Sequence, residues 1–431
     1  MRVLWFSNTP AMGEDYLREN TINSGGWMKS LDKAVQNAVE LHVAFYWPYK
    51  IEPYKYMNTY YHPIFRGNIV LENLKNKWLG SEKDTEDLGL FLSIIEEVKP
   101  DIIHIHGTEN PFGCVIGKTN IPVTISIQGN LTVICHKYFS GFERKYLKLS
   151  SNKNRTIKGF LLRGRSWRYQ YNHLRKKQKI ESRNLSSCRY IIGRTDWDRR
   201  ITRILAPKSL YFHVGEIMRE IFFTKQWQPN KNKKFIVHTT NGNTFYKGFE
   251  TLCYALTLLN DLNIDIEWRV AGIKSDSTIV KLVKRKLKSR YPTKGLALLG
   301  SLNEDKLCEK LLEADVYVMT SHIENSPNNL SEAMLLGIPC IATLAGGTGS
   351  ILKDREEGII IQDGDPWAMA GAVLELMNNP AQAKLYGYNA RNTAVKRHNK
   401  YNVVSELLNA YKSIINKNDE DFNNSFPKPV L

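Results

Sequence analysis

The sequence predicts an α/β chain of two doubly wound domains that face each other across a ligand cleft. Three observations predict it. Strand-like apolar runs alternate with helical patterns in both halves. A polar, aperiodic stretch at 225–234 (KQWQPNKNKK) separates the halves as a linker. The stretch 317–343 (YVMTSHIENSPNNLSEAMLLGIPCIAT) has the form of one strand–helix–strand unit of a parallel sheet.

The composition bounds the reading. A chain of 431 residues is long enough for two sizeable cores, and 42% apolar content is ordinary for a globular protein. No apolar run approaches the roughly 18 residues that a spanning helix needs. The opening apolar segment is too short for a signal peptide, so the expected location is the cytosol. Cys114, Cys135, Cys188, Cys253, Cys308 and Cys340 are scattered without zinc spacing. They are expected as buried free thiols. The 60 Lys+Arg against 43 Asp+Glu leave a net charge of +17, which favours anionic partners: a membrane surface, nucleic acid or phosphorylated substrates.

The first domain is expected over 1–224. Residues 1–10 form a strand and turn, and the loop after it carries Gly25 and Gly26 at a helix start, where a backbone without side chains approaches a bound group closely. A strand follows at 41–45, no clear period over 48–80, and a helix over 84–98 that Pro100 stops. The buried strand 101–107 carries His104 and His106 on one face. His106 stands at its carboxyl end, where open α/β sheets bind ligands; the alternative is a core histidine bonded to backbone. Gln128 ends the strand 122–129 in the cleft. Residues 141–190 interleave basic residues with aromatic and aliphatic ones, a surface suited to an anionic membrane, the alternative being a solvated helix pair. Thr195 or Asp196 suits a helix cap. Arg194, at a strand end, is placed to meet an anion across the cleft or to pair with Asp198 on the surface.

The second domain is expected over 235–395, followed by a helix at 396–416 and by a disordered tail at 417–431. Lys247 stands beside a helix start as a point charge for a diphosphate. The unit 317–343 carries Glu324 on a loop and Glu332 inside a short helix, with seven residues between them. Ser326 is the expected N-cap, Pro327 the first helical residue and Gly337 the terminator. The amides of Asn328, Asn329 and Leu330 would hold a phosphate at the helix N-terminus. The two carboxylates would accept hydrogen bonds from ribose or hexose hydroxyls. The glycine-rich turn with Gly346 and Gly347 allows close approach of a sugar.

Glu-x7-Glu followed by Ala-Met and Gly-x-Pro resembles the retaining glycosyltransferases of family 4, the glycosyl transferases group 1. The resemblance implies a GT-B fold of two facing Rossmann-like domains, with the helix at 396–416 crossing back to the first domain. It implies transfer of a sugar from a nucleotide-sugar to a hydroxyl with retention. In the family the first Glu contacts the transferred sugar and the second the ribose, roles that fall on Glu324 and Glu332. Gly25, Gly26, Lys247, Gly346 and Gly347 match donor-binding positions, and Gln128 stands where many members carry a His. An Arg usual about six residues before Lys247 is missing here, where Thr240, Asn241 and Gly242 stand. The resemblance implies no metal or other cofactor. It suggests cell-surface polysaccharide assembly on a lipid-linked or oligosaccharide acceptor, at the inner face of the cell membrane. The alternatives are a GT-B epimerase or phosphorylase and, more remotely, a basic nucleic-acid-binding protein. The preferred reading includes no nucleic acid.

Overall fold

The computed structural model describes residues 1–17, 26–65, 87–143, 167–229 and 234–421. Strands β1 (Arg2–Ser7), β2 (Glu40–Trp47), β3 (Tyr54–Tyr56), β4 (Thr59–Phe65), β5 (Ile102–His106), β6 (Val123–Ser126), β7 (Tyr190–Gly193) and β8 (Leu210–His213) form one sheet in the order β3-β4-β2-β1-β5-β6-β7-β8. Strands β9 (Phe235–Thr240), β10 (Ile266–Ala271), β11 (Leu296–Gly300), β12 (Val316–Met319), β13 (Cys340–Thr343) and β14 (Ile359–Ile361) form the other, in the order β11-β10-β9-β12-β13-β14. The pairs are parallel except β3 with β4. Parallel strands covered on both faces need apolar side chains on both, which is why β12 and β13 are buried throughout.

Around the first sheet lie α1 (Gly13–Leu17), α2 (Gly26–Val35), α3 (Leu88–Val98), α4 (Leu131–Lys137), α5 (Trp167–Ser187) and α6 (Asp196–Leu205). After it come α7 (Ile221–Thr224), α8 (Phe249–Asp261), α9 (Thr278–Leu287), α10 (Glu304–Leu312), α11 (Asn328–Leu336), α12 (Pro366–Asn378), α13 (Pro380–Arg397) and α14 (Lys400–Asp421). Strand order reverses between β1 and β5 in one sheet and between β9 and β12 in the other. Such reversals open a crevice at the carboxyl ends of the strands, where ligands bind. Those ends meet here: Asn325 after β12 faces Thr195 after β7, and Asp196 N–H donates to Ser350 after β13 at 3.1 Å.

Three features depart from the sequence-based expectation. Strands β3 and β4 lie in the aperiodic stretch, and buried Asp32 holds β4 by accepting from Thr59 Oγ1 (2.7 Å) and the Tyr61 hydroxyl (2.6 Å). The expected linker is packed in its described part: Trp227 is buried, and its indole N–H donates to Ala314 O at 2.6 Å. With Met218 and Phe222 it shares a core with α11. Finally, α14 runs on to Asp421, past the expected start of the tail at 417. Its Val403, Leu407, Ala410, Tyr411 and Ile414 pack in the core of the first domain with Val3 and Trp5.

Candidate functional site

Helix α11 begins at Asn328, one residue later than expected, with Pro327 extended before it (φ −72°, ψ 101°). Ser326 is not its cap. The Ser326 hydroxyl donates instead to Glu216, a buried carboxylate and a stronger acceptor. Among the three candidate amides, that of Leu330 is already used, by Pro327 O (3.1 Å) and Asn329 Oδ1 (3.0 Å). The amides of Asn328 and Asn329 have no partner among the described residues. Asn329 Nδ2 donates to Thr240 O at 2.8 Å and so ties the helix start to the end of β9, beside the strand reversal.

Glu324 follows β12. Its Oε1 accepts from Lys247 Nζ at 2.5 Å and from Ser321 Oγ at 2.7 Å. Lys247 comes from a tight turn that Gly248 closes in the left-handed region (φ 71°), where a Cβ would meet Thr320 O at 1.8 Å. Only glycine lets this turn press against the end of β12. Burial pulls the Lys247 ammonium down, but the Glu324 carboxylate outweighs it and the net shift is upward. Asn241 Nδ2 donates to Lys247 O at 2.9 Å, so this side chain braces the turn and brings no charge.

Glu332 lies just over one turn inside α11 and is 6% exposed. Its Oε1 accepts from Arg219 Nε (2.9 Å) and from a terminal nitrogen of the same guanidinium (2.6 Å). Burial pushes the Glu332 carboxyl up and Arg219 offsets only part of this, so it sits above the ordinary carboxylate range. Arg219 carried no signal in the sequence. It stands in the crossover after β8, in no motif, and only the fold brings it to Glu332.

Gly346 and Gly347 stand where a Cβ would come within 2.0 Å of Glu324 O and 1.9 Å of Asn325 O. Gly347 N–H donates to Glu324 O at 3.0 Å. The glycine pair therefore shapes the backbone of the Glu324 loop.

The first domain supplies the opposite wall. The carbonyl of Gln128 accepts from Asn325 Nδ2 at 3.4 Å, which sets Gln128 against the Glu324 loop. His104 is the satisfied core histidine, bonded to the Tyr411 hydroxyl (2.6 Å) and Ser126 Oγ (2.5 Å). His106 is 1% exposed, and its ring nitrogens have no partner among the described residues. It is not bonded to backbone, contrary to the alternative reading; its ring stands edge-on to Trp5 at 4.7 Å and to Trp27 at 6.0 Å. Arg194 is not a surface residue paired with Asp198. It is 6% exposed, lies over the Trp27 ring at 4.5 Å, and has its Nε 3.7 Å from Glu216. Its backbone N–H meets Asp198, which forms a capping box with Thr195. Gly26 starts α2 and its missing side chain makes room for Arg219, whose Cδ a Cβ would meet at 2.7 Å. Gly25 lies outside the described residues.

Phe142, Trp167, Tyr171 and Leu174, expected on a membrane-facing surface, pack toward the second domain. They join Tyr138 and Phe139 against Phe245 and its core. Exposed basic side chains of α5 remain, among them Arg168, Arg175, Lys176 and Lys179. The stretch 144–166 lies outside the described residues. Among the described residues no helix is long and apolar enough to cross a membrane.

The chain is similar to known proteins in its fold and, in sequence, over its second half. The glycosyl transferases group 1 model matches residues 220–393, which takes in Arg219's neighbour Glu220, Lys247, both glutamates and the glycine pair. The N-acetyl-alpha-D-glucosaminyl L-malate synthase of Bacillus anthracis is 22% identical over 192 residues, 44% of this chain and 48% of that protein. The match thus spans about half the length of that relative. Among solved structures, sucrose-phosphate synthase from Thermosynechococcus elongatus superposes with a TM-score of 0.68 at 15% identity, over 96% of this chain and 99% of that one. Anabaena HepE in complex with UDP-glucose gives a TM-score of 0.62 at 12% identity, over 96% and 100%. The chain has the GT-B fold, and its residues 220–393 match the glycosyl transferases group 1 model.

Proposed function

We propose that the protein is a glycosyltransferase that moves a sugar from a nucleoside-diphosphate sugar to a hydroxyl acceptor with retention at the anomeric carbon. One observation carries the reading. Two glutamates, each held by a cation, flank the open amides of a helix N-terminus at the reversal of strand order. The diphosphate takes Lys247 and the amides of Asn328 and Asn329, which need no metal to offset its charge. Ribose hydroxyls donate to Glu332 and hexose hydroxyls to Glu324. In a front-side displacement the anomeric carbon loses its bond to the phosphate oxygen and gains one to the acceptor oxygen. The acceptor proton passes to the departing phosphate. Gln128 orients a hydroxyl but takes no proton. Buried His106, pulled well below the ordinary histidine range by burial, stays neutral at the wall of the cleft.

The acceptor side belongs to the first domain. The basic face of α5 supports contact with an anionic membrane and a lipid-linked acceptor, as in assembly of capsule, O-antigen or exopolysaccharide. The protein would then act as a peripheral protein on the cytoplasmic face.

A thermal-shift panel of UDP-, GDP- and ADP-sugars on wild type and Glu332→Ala tests the reading. Ligand binding stabilises the fold by mass action. A rise in Tm with one nucleotide, lost in the variant, is the expected result. Equal responses of the two proteins place the donor elsewhere, and no response in wild type defeats the reading.

A further inference from the structure

The two cations at the site have different origins. Lys247 belongs to the second domain. Arg219 comes from the crossover between the domains, directly before Glu220 and α7. Its side chain crosses the space left open at Gly26, lies over the Phe222 ring at 4.8 Å, and gives two N–H groups to Glu332. Glu304 stands 3.8 Å from its third nitrogen. The Arg219 side chain is 24% exposed and that of Glu332 8%. Among the described residues that pair with Glu324 or Glu332, the cations are Lys247 and Arg219. Asn241, at the end of β9, is fixed by bonds from its amide to Lys247 O (2.9 Å) and from Gly242 N–H to its Oδ1 (2.8 Å), and adds no charge.

We propose that Arg219 is a second diphosphate-binding cation, stored on Glu332 until a nucleotide arrives. This rests on the donor reading above. Glu332 is four residues after Asn328, so its Cα lies about 6 Å along the helix axis from that of Asn328, and its side chain leans back toward the helix N-terminus where the open amides stand. A swing of the arginine side chain covers that distance without backbone movement. Incoming ribose hydroxyls donate to Glu332 in place of the guanidinium, so the buried carboxylate keeps its partners. The released guanidinium pairs in two-pronged fashion with phosphate oxygens. Lys247 exchanges Glu324 for the diphosphate in the same manner, as a hexose hydroxyl takes the carboxylate. The exchange thus needs both halves of the ligand. A nucleoside alone displaces Arg219 and offers it no anion.

The test is isothermal titration of full-length wild type, Arg219→Gln and Arg219→Lys with UDP, GDP and ADP, each against its own nucleoside. The quantity read is the ratio of nucleoside Kd to nucleoside-diphosphate Kd. A charge-assisted contact is worth about tenfold or more in affinity. The expected result is a ratio that falls at least about tenfold in Arg219→Gln and by less in Arg219→Lys, which keeps the charge and loses the fork. Equal losses for nucleoside and diphosphate, with the ratio unchanged, would show that Arg219 only shapes Glu332 and would overturn the assignment. If Arg219→Gln does not fold, the drop in Arg219→Lys alone decides. Failure of wild type to bind any of the three diphosphates defeats the donor reading itself, and this inference with it.

Discussion

Lys247 Nζ lies 2.5 Å from Glu324 Oε1, a contact between the turn after β9 and the loop after β12. Each residue keeps the other from standing unpaired in a cleft only partly open to water. Their proposed tasks differ, which gives opposite expectations for two variants. Glu324→Gln frees the ammonium, so nucleotide affinity holds or rises while turnover falls by about 100-fold, the scale of a lost contact made at the reacting sugar. Lys247→Ala weakens nucleotide binding and turnover together. Titration with the nucleotide found by thermal shift, beside a turnover assay, separates them. Equal loss of affinity in both variants would count against the division of roles.

Gly347 sets the Glu324 loop by contact rather than by chemistry. A Cβ there would lie 1.9 Å from Asn325 O and 2.9 Å from the Thr195 side chain. Gly347→Ala must push Asn325 away, and Asn325 is the residue that touches Gln128 and Thr195 across the cleft. Overpacking of this kind costs about 1–3 kcal/mol. The control is Gly349→Ala, whose Cβ would make an ordinary contact of 3.5 Å with Leu344. Chemical denaturation and the nucleotide-induced rise in Tm are expected to fall for the first variant and hold for the second.

Tyr411 joins the last helix to the first strand. Its hydroxyl accepts from the Trp5 indole N–H at 2.9 Å and meets His104 Nδ1 at 2.6 Å, all three side chains being buried. Tyr411→Phe fills nearly the same volume and leaves two buried polar atoms without a partner. Each such atom costs about 1–3 kcal/mol. A urea titration should show a loss of at least about 1 kcal/mol with unchanged m-value. A neutral outcome would mean that the hydroxyl is not bonded in solution.

Buried histidines make the fold sensitive to acid. Burial holds His104 and His238 down to about 3 and His62 to about 4, and places His106 well below the ordinary value. Between about pH 6.5 and those values the unfolded chain binds protons that the folded chain does not, so stability falls as pH drops. Each group contributes up to about 1.4 kcal/mol per pH unit. His322 acts in the opposite sense. Burial pulls it down, but bonds to Glu250 (2.6 Å) and Asp363 (3.4 Å) carry it net upward. Its contribution is full below about pH 6.5 and fades as pH rises through its folded value. Burial lowers His42, His173 and His398 as well, so the lowered histidines outnumber His322, and urea midpoints should fall from pH 7 to pH 5. A flat profile would overturn the neutral state of the buried histidines.

Why some of this was legible in the sequence and some was not follows from range. The β12–α11–β13 unit is written locally: apolar runs, a Pro before the helix and Gly337 after it, which closes the helix in the left-handed region. Glu324, Glu332 and Lys247 were accessible because spacing and resemblance act within such units. The start of α11 was misplaced by one residue because Ser326 had a better partner, Glu216, more than 100 residues away. Arg219 was hidden for the same reason: its meaning lies in Glu332, which no local pattern connects to it. Strands β3 and β4 were missed because tyrosines on both faces of β4 erase the alternation that marks a strand.

The basic stretch yields the last prediction. Of its apolar residues within the described part, Phe142, Trp167, Tyr171 and Leu174 are spent on contact with the second domain, where Phe139 and Trp167 meet the Phe245 ring and Tyr171 packs on Phe139, while Tyr169 stacks on His173. What α5 offers outward is charge, in Arg168, Arg175, Lys176 and Lys179. Attraction of this kind is worth about 1 kcal/mol per basic residue near an anionic surface and decays within a Debye length, about 10 Å at 0.1 M salt. Membrane contact through α5 should therefore be electrostatic, without insertion. Flotation with vesicles of phosphatidylglycerol and phosphatidylcholine should show binding at 0.1 M salt that disappears near 0.5 M. Arg175→Glu with Lys176→Glu should weaken it at least about tenfold, since two attractions become two repulsions. Binding that survives high salt would require apolar insertion, and α5 has turned those side chains inward. Absence of binding at low salt would remove the membrane from the proposed function and leave the transfer reaction standing on the cleft alone.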